Sequence, residues 1–359
     1  MLRFLTGILF CFSLILFFSV YISPEFFPYA GLLTLLIPLL IILNLLFFFL
    51  LAFAKRKLAF LPLLALVLGW KFVGVTFQLN PHAENPSGLS VLTYNVHLLK
   101  YTKNGEDHNT VTQNITKWLR DNPSDIKCLQ EFYQDYTTPS QNAIKAIGTD
   151  VGYEYSYQVI EGNPTKRSYG MIIFSKYPII NEGRIFENNN TNGVIYADVK
   201  IEKDTVRIYN AHLESMSISS EGLSNLDGIK ENYRETLGKL KRGQIIRASQ
   251  LEILKEHMRN SPYANILVGD FNDVPYSYTY FSLRKLMKNA FETAGRGFGF
   301  TYNKVLFFLR IDNIFYDDIL QVERFKTHRE VDYSDHYPIS ATFNWDKPLQ
   351  KINNEQEMN

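Results

Sequence analysis

The sequence predicts an α+β fold in which a largely antiparallel sheet is covered by helices and preceded by a membrane anchor. After residue 89, strand-like runs outnumber helical patterns and follow one another in consecutive pairs, as antiparallel strands do. Long uncharged apolar runs occupy the first 79 residues. The chain has 359 residues, too many for one ordinary core unless part of it lies in a membrane or one domain is large.

Three apolar runs lie at the N-terminus, at 5–22, 31–54 and 58–79. The second is long enough to cross a bilayer as a helix, and the third is interrupted at Trp70. A cleaved signal peptide is the alternative for the first run, but no Ala-x-Ala-like site follows it. Soluble core helices are the alternative for all three, which the uncharged length of the second disfavours. We therefore predict a membrane anchor over 1–79 with about three transmembrane helices.

Basic residues predict the orientation of these runs. Lys55, Arg56 and Lys57 separate the second run from the third, whereas the link between the first and second contains Glu25 and no Lys or Arg. The positive-inside rule places the basic cluster in the cytoplasm. Three spans then leave the rest of this integral membrane protein on the non-cytoplasmic face. If the third run does not span, the rest of the chain instead faces the cytoplasm.

Composition divides the remainder of the chain. Residues 80–88 contain two prolines and a glycine and are predicted to be a linker. A soluble domain follows over 89–345, and 346–359 are predicted to be a charged tail without a core to join. Residues 215–243 are polar and predict a surface excursion that leads into a helix ending near Met258. The predicted strands are 89–96, 126–129, 153–160, 169–174, 193–201, 205–213, 265–268, 310–316 and 338–343, and the other predicted helices are 109–121 and 277–287.

Charge and cysteine content exclude some kinds of site. The formal net charge is +1, so no overall field attracts a polyanion such as nucleic acid. Only two cysteines are present, Cys11 and Cys128, and they lie far apart in the sequence. Neither a disulfide framework nor a cysteine-based metal site is available.

Polar residues stand where the predicted strands stop. Asp270 and Asn272 follow the apolar run 265–268 and lie two residues apart, so their side chains point the same way. Turns, helix caps and a satisfied core histidine each explain one such residue, but many in one domain are harder to attribute to them. A rigid sheet positions catalytic groups in this manner. The set is Asn95, Glu131, Asn210, His212, Asp270, Asn272, Asp312, Asp335 and His336.

The motifs that contain these residues resemble, in order, those of the endonuclease/exonuclease/phosphatase superfamily. Gly-Asp-Phe-Asn at 269–272 and Ser-Asp-His-Tyr-Pro-Ile at 334–339 are specific, whereas Thr-Tyr-Asn-Val at 93–96 and Leu-Gln-Glu at 129–131 are weak alone. The resemblance covers nearly all of 89–343 and excludes the three apolar runs. It implies a four-layer sandwich, with two mixed sheets face to face and helices outside. The other matching stretches are 169–179, 210–214 and 310–315.

The resemblance implies metal-assisted attack of water on a phosphate ester. Because such an ester is already anionic, the water must be activated and the developing charge neutralised. Asn95, Glu131 and Asp335 offer hard oxygen ligands, which suit Mg²⁺ or Mn²⁺ better than a soft-ligand metal. The metal would polarise the phosphoryl oxygen and stabilise the leaving oxygen.

The resemblance also assigns roles to the other candidates. Asp312 is expected to hold the imidazole of His336 in its working tautomer. Either His336 or Asp270 takes the proton from water, and the sequence does not decide between them. The residues expected to contact the phosphate, the water or the departing oxygen are Asn272, His212 and Asn210.

The sequence therefore predicts a membrane-anchored, Mg²⁺-dependent phosphoesterase. Nucleic acid, a phospholipid headgroup and a small soluble phosphodiester compete as substrate. A catalytically inactive binding module that retains the fold is the alternative function. Transport through the membrane segment is disfavoured because the apolar runs contain almost no ionisable residue. The lipid bilayer is the expected partner of the N-terminal helices, and no protein partner is implied.

Overall fold

The computed structural model describes residues 1–81, 83–100, 107–187, 192–215, 226–304 and 309–351. The chain forms two compact units. The first comprises Met1–Gln78, Met216–Leu251 and Asp273–Lys285, and the second comprises Leu79–Ser215, Glu252–Asn272 and Leu286–Asn359. Every site residue predicted from the sequence belongs to the second unit.

Helices form most of the first 77 residues, and strands outnumber helices in the rest of the described chain. The α-helices of the described residues are α1 (Leu2–Ser19), α2 (Ala30–Thr34), α3 (Ile37–Phe53), α4 (Phe60–Leu68), α5 (Trp70–Gly74), α6 (His108–Asp121), α7 (Ala143–Ile147), α8 (Leu226–Arg259), α9 (Tyr278–Leu283) and α10 (Ala290–Ala294). The strands are β1 (Gln78–Leu79), β2 (Leu89–Asn95), β3 (Ile126–Asp135), β4 (Glu154–Gly162), β5 (Arg167–Ser175), β6 (Ile179–Glu187), β7 (Gly193–Ile201), β8 (Asp204–His212), β9 (Ala264–Asp270), β10 (Lys288–Asn289), β11 (Arg296–Gly297), β12 (Asp312–Tyr316), β13 (Gln321–Thr327) and β14 (Ile339–Asn344).

The apolar runs of the first unit form shorter helices than the sequence predicts. Within the described residues, one helix, α1, is long and apolar enough to cross a membrane. The second run is broken because Pro38, in the first turn of α3, has no N–H to bond to the preceding turn, and α3 has 17 residues. The third run is divided at Gly69, where α4 ends. The structure therefore corrects the expected number of about three transmembrane helices to one candidate.

Two six-stranded sheets form most of the second unit. The first sheet has the order β13-β14-β2-β3-β5-β4, and the second has the order β10-β12-β9-β8-β7-β6. Each sheet contains one parallel pair, β2–β3 in the first and β8–β9 in the second, and its other pairs are antiparallel. The predicted mixed and largely antiparallel architecture is confirmed.

The two sheets pack face to face and carry helices outside. Alternate residues of the first sheet, such as Val91 and Cys128, share one buried cluster with Ile208 of the second. On the outer face of the first sheet, Leu92 packs in another cluster with Ile115 of α6. Burial of these apolar faces on both sides explains why the central strands are almost continuously apolar.

Helix α8 occupies sequence that was predicted to be a surface excursion. It begins at residue 226, so the prediction is wrong over 226–243, and residues 216–225 lie outside the described part. Charged pairs one turn apart, such as Glu235 and Lys239 at 2.8 Å, stabilise an exposed polar helix. Its last turns cover the second sheet, since the Nδ1 of His257 lies 3.0 Å from the hydroxyl of Tyr209.

Edge strands and the end of the chain were also missed. Strands β6 and β13 lie at the edges of their sheets, where charged residues interrupt the apolar alternation on which prediction depends. Strand β3 continues past the predicted end at Leu129 to Asp135. Leu349, within the predicted tail, is fully buried, and its carbonyl accepts a 2.8 Å hydrogen bond from the N–H of Ala264.

Lys127 in β3 is fully buried, which leads to a stability prediction. Its Nζ donates to the carbonyl oxygen of Leu119 at 2.6 Å, and burial lowers its pKa to about 8. The unfolded chain binds this proton more tightly, so stability should rise with pH from about 8 towards the ordinary lysine pKa of about 10.4. Lys127→Met is expected to raise the free energy of unfolding at pH 7 by about 2 kcal/mol.

Chemical denaturation at pH 7 and pH 10 measures this effect. The difference between Lys127→Met and the natural protein should shrink at pH 10, because the lysine is then neutral in more of the folded molecules. Lys117→Met, at an exposed position of α6, is the matched control and should change stability little. A destabilised Lys127→Met at both pH values would contradict the prediction.

Candidate active site

Strand register in the second sheet brings three of the predicted residues side by side. His212, the last residue of β8, is paired with Asp270 at the end of the parallel strand β9. Asp270 is in turn paired with Asp312, the first residue of the antiparallel strand β12. All three are almost fully buried. The ends of three neighbouring strands therefore form one half of the site.

The first sheet supplies the other half. Asn95 ends β2, and Glu131 lies in β3 at a register irregularity where its φ is +49°. The Nδ2 of Asn95 donates to the Oε1 of Glu131 at 3.2 Å and to the Oδ2 of Asp270 at 3.0 Å. One amide therefore joins the two sheets. A left-handed conformation at a non-glycine residue costs energy. Here it coincides with the irregularity in β3, where the side chain of Glu131 bonds to Asn95.

The Gly-Asp-Phe-Asn segment needs its glycine and its turn. Gly269 has φ +137°, and a Cβ there would lie 1.9 Å from the carbonyl oxygen of Ala211. Asn272 has φ +49° and donates its backbone N–H to the Oδ1 of Asp270 at 2.8 Å. Its Nδ2 donates to the carbonyl oxygen of Leu213 at 3.0 Å. The turn residues therefore orient the Asp270 carboxylate, so the turn and site interpretations of this segment are compatible.

His336 lies between the carboxylates of Asp312 and Asp270, with a hydrogen bond to the first and a longer ion-pair contact to the second. The Nδ1 of His336 lies 2.9 Å from the Oδ2 of Asp312, and its Nε2 lies 3.6 Å from the Oδ2 of Asp270. Burial acts to lower the pKa of His336, but the carboxylates of Asp312 and Asp270 outweigh it and hold that pKa well above the ordinary value. Burial raises the pKa of Asp312, against the opposing effect of His336. The geometry agrees with the predicted orienting contact.

His212 contributes a second imidazole to the same carboxylate. Its Nε2 lies 3.7 Å from the Oδ2 of Asp270 and 3.8 Å from the Oε1 of Glu131. Its Nδ1 is buried without a hydrogen-bond partner among the residues that the structure describes. An unpartnered buried nitrogen costs free energy unless another molecule bonds to it.

Asp335 lies between two cationic side chains that the sequence did not indicate. Its Oδ1 is 3.2 Å from the Nδ1 of His97, and its Oδ2 is 2.7 Å from the Nζ of Lys304. Burial opposes ionisation of Asp335, but the hydrogen bond from His97 and nearby positive charge hold its pKa well below the ordinary value. His97 also approaches the Oε2 of Glu131 at 3.9 Å. A carboxylate pair that attracts positive side chains suits a divalent cation.

The predicted metal ligands fit such an ion by their chemistry. Glu131 and Asp335 present carboxylate oxygens on either side of His97, and Asn95 presents an amide oxygen that accepts from the backbone N–H of His97 at 3.1 Å. In the described residues, the closest His/Asp/Glu group that could hold a metal is instead Asp270, Asp312 and His336, with ligand atoms within 4.8 Å of one another. Hydrogen bonds engage atoms of both groups, Asp312 with His336 in one and Asp335 with His97 and Lys304 in the other. The predicted set differs in offering oxygen ligands alone, which a hard cation prefers.

The side chain of Asn210, like that of Asn272, bonds to groups other than the predicted site side chains. It is fully buried, and its Nδ2 donates to the carbonyl oxygens of Leu129 and Ile172, each at 3.0 Å. Its Oδ1 accepts a 2.6 Å hydrogen bond from the Nε2 of Gln130. The amide therefore ties β8 to two strands of the first sheet.

Further residues around the site were missed by sequence reasoning. The ring of Tyr302 packs edge-on against His336 at 5.5 Å, and the hydroxyl of Thr301 accepts from the backbone N–H of Asp312 at 3.1 Å. His97 lies two residues after Asn95 but beyond the end of β2, with φ +43°, so strand alternation gave no signal for it. Lys304 lies in a loop without periodicity, and nothing in the sequence indicated its contact.

Two family models match this chain, one over the sheets and one over the N-terminal helices. A family model described as the Endonuclease/Exonuclease/phosphatase family matches residues 92–336. A second model, described as a domain of unknown function (DUF8431), matches residues 1–76. No curated protein matches the chain.

Solved structures share the fold of the second unit. An endonuclease/exonuclease/phosphatase from Bacteroides vulgatus is 17% identical, with a TM-score of 0.53 over 72% of this chain and 100% of that chain. The human Nocturnin catalytic domain, solved with a bound sulfate anion, is 16% identical, with a TM-score of 0.52 over 74% and 98%. A family protein from Bacteroides thetaiotaomicron is 17% identical, with a TM-score of 0.51 over 73% and 100%. At these identities the likeness establishes the fold alone.

Proposed function

Because this chain belongs to the endonuclease/exonuclease/phosphatase family, we propose that it is a membrane-anchored, Mg²⁺-dependent phosphoesterase that hydrolyses its substrate with activated water. Members of this family are phosphoric ester hydrolases. One observation carries the proposal for this chain. The buried carboxylate of Asp270 meets the Nδ2 of Asn95 and the Nε2 atoms of two imidazoles, those of His212 and His336.

These groups can bind a phosphate ester and move a proton. The Nε2 of His212 and the Nε2 of His336 converge on one carboxylate oxygen, so both can donate to oxygens of a phosphoryl group bound beside it. Asp270 and the neutral form of His336 are the two candidates to accept the proton of the attacking water, whereas the protonated form of His336, which its raised pKa favours, donates to the phosphoryl group. Asp312 fixes the other ring nitrogen of His336, which leaves Nε2 as the atom available for the reaction.

Oxygen ligands from three residues would hold the metal. Glu131, Asp335 and the amide oxygen of Asn95 are the proposed set, with Mg²⁺ or Mn²⁺ as the ion. When bound, the ion neutralises charge on the phosphoryl group and on the leaving oxygen. Lys304 and His97 are proposed to balance the carboxylates when the ion is absent, since both contact Asp335.

Exposed apolar side chains support the membrane anchor. In the first unit, Phe4, Phe53 and Trp70 are 71%, 84% and 70% exposed. Water disfavours such surfaces, and a lipid bilayer would cover them. We propose α1 as the span, with Arg3 on the cytoplasmic side and all residues after α1, those after 79 included, on the non-cytoplasmic face. A single span departs from the cytoplasmic placement of the basic cluster at 55–57 that three spans implied. Tethering favours a phospholipid headgroup over nucleic acid as substrate.

The first test is hydrolysis by the full-length chain in a mild detergent. We expect it to release p-nitrophenolate from bis-p-nitrophenyl phosphate or p-nitrophenyl phosphate in the presence of Mg²⁺. Asp121→Asn, which changes an exposed carboxylate of α6, is the matched control and should retain full activity. Folded protein that hydrolyses neither ester, nor any of a panel of DNA, RNA, phosphoinositides and sphingomyelin, would contradict the proposal and support the inactive binding module.

A further inference from the structure

A basic cleft of about 320 Å³ opens on the second unit at the end of β13. The buried residue Phe325 lines it, and its described lining contains three cationic side chains and no carboxylate. The cations are Arg296, Lys326 and Arg329. None of the residues that line the cleft belongs to the candidate active site.

The two arginines are available to a ligand. Arg296 and Arg329 are both exposed, and neither forms an ion pair within the described residues. Lys326 is partly neutralised, because its Nζ lies 2.7 Å from the Oε1 of Glu330, which does not line the cleft. Guanidinium groups bind phosphate through paired N–H donors, whereas a lysine acts as a point charge. The charge and donor geometry of the cleft therefore suit a phosphate group.

The wall of the cleft combines open backbone with an aromatic surface. Gly297 and Gly299 have φ values of +70° and +60°, and a Cβ at Gly297 would meet no atom within 4 Å. Phe298, between them, is 49% exposed, and its ring stacks on that of Phe300 at 5.1 Å. A ligand can therefore approach the backbone closely and place an apolar or planar part against Phe298.

The cleft lies at the same edge of the sheet as the candidate active site. Thr327, in the lining, is paired with Ile339 at the start of β14, three residues after His336. The guanidinium of Arg329 lies 5.9 Å from the ring of Phe300, two residues before Tyr302, which packs against His336. Three extended residues span on the order of 10 Å at about 3.3 Å each, so His336 and the paired lining residue Thr327 belong to neighbouring parts of this edge.

We propose that this cleft binds a second phosphate group of the substrate, so that the enzyme prefers esters carrying at least two phosphoryl groups on one small scaffold. The inference rests on the proposed phosphoesterase function. It adds a substrate class: one phosphoryl group is hydrolysed at the Asp270 site, and a second is held by Arg296 and Arg329. The second phosphate can come from a nucleotide or from a phosphoinositide headgroup.

Matched substrate pairs test the proposal on the full-length chain. The first pair is thymidine 5′-(p-nitrophenyl phosphate) with and without a 3′-phosphate, and the second is glycerophosphoinositol with and without a 4-phosphate. We expect a higher kcat/KM for the doubly phosphorylated member of at least one pair. The double variant Arg296→Ser with Arg329→Ser should lower that value about 10- to 100-fold and change the singly phosphorylated member less than about twofold.

Controls and a binding measurement make the test decisive. Arg120→Ser removes an exposed arginine of α6 and should leave both pairs unchanged. Calorimetric titration with pyrophosphate in a chelator should show weaker binding by the double variant and unchanged binding by Arg120→Ser. A higher kcat/KM for the doubly phosphorylated member of the first pair would identify the substrate as a nucleotide. The same result in the second pair would identify it as an inositol phosphate. Equal kcat/KM within both pairs, or equal pyrophosphate binding by the double variant, would overturn the proposal.

Failure of the catalytic proposal is distinguishable from failure of this one. A chain that hydrolyses no ester at all removes the phosphoesterase function and, with it, the second phosphate of a substrate. A chain that hydrolyses the singly and doubly phosphorylated members equally keeps the phosphoesterase function and removes only the role of the cleft.

Discussion

Asp270→Asn is expected to lower kcat by about 10³- to 10⁴-fold while the protein remains folded. Asparagine has nearly the same shape, but it carries no charge and cannot accept a proton near neutral pH. Its Nδ2 would also replace an oxygen that accepts from Asn95 and faces the Nε2 atoms of His212 and His336. The measurement is the initial rate of p-nitrophenolate release at saturating substrate, with thermal unfolding followed in parallel.

The control for this substitution is Asp150→Asn, which neutralises an exposed carboxylate of the second unit and should keep the natural rate. His336→Ala is expected to be impaired by about 10²- to 10⁴-fold, the usual contribution of a positioned acid or base. A near-normal rate for Asp270→Asn beside an inactive His336→Ala would assign the base to the histidine. Near-normal rates in both variants would remove this cluster from catalysis.

Chelation is expected to abolish turnover, and added Mg²⁺ or Mn²⁺ should restore it. Glu131→Gln should raise the Mg²⁺ concentration needed for half-maximal rate at least about 10- to 100-fold, the loss that even an outer-sphere partner causes when it is removed. The reason is that glutamine removes one negative oxygen from a site for a hard cation. Mn²⁺ binding followed by electron paramagnetic resonance gives a readout that is independent of turnover.

Glu182→Gln, at an exposed position of the edge strand β6, serves as the matched control and should bind Mn²⁺ like the natural protein. Turnover that is insensitive to chelator would exclude the metal mechanism. Unchanged metal affinity in Glu131→Gln would move the proposed ion from Glu131 and Asp335 to the compact group of Asp270, Asp312 and His336.

Much of the second unit was predictable because its local patterns and its tertiary structure agree. Central strands such as β2, β7 and β9 are apolar runs bounded by polar residues, and burial on both faces requires that pattern. The turn at Gly269 and Asn272 was predictable as well, because glycine and asparagine favour the positive φ values that the backbone takes at these two positions. The prediction failed where charged residues interrupt the apolar pattern, as in the edge strands β6 and β13 and in the first part of α8.

Contacts between distant segments could not be predicted from spacing. Lys304 reaches Asp335 from a loop, and the amide of Asn95 bonds to a residue 175 positions away, Asp270. Asn210 stands at a strand end like the others, yet its amide bonds to the backbone of two neighbouring strands. Only the packing of one sheet on the other determines which of these polar atoms face the site.

The sequence by itself determined the identity and order of the polar strand ends, the largely antiparallel sheet and the apolar character of the N-terminal region, because alternation, turn chemistry and hydropathy are local properties of the chain. The sandwich of two mixed sheets was expected from the family resemblance of its motifs. The tertiary structure decided which of those side chains meet, the continuity of the apolar helices and the existence of a basic cleft beside the site. These features arise from contacts between residues far apart in the chain, and local propensity carries no information about them.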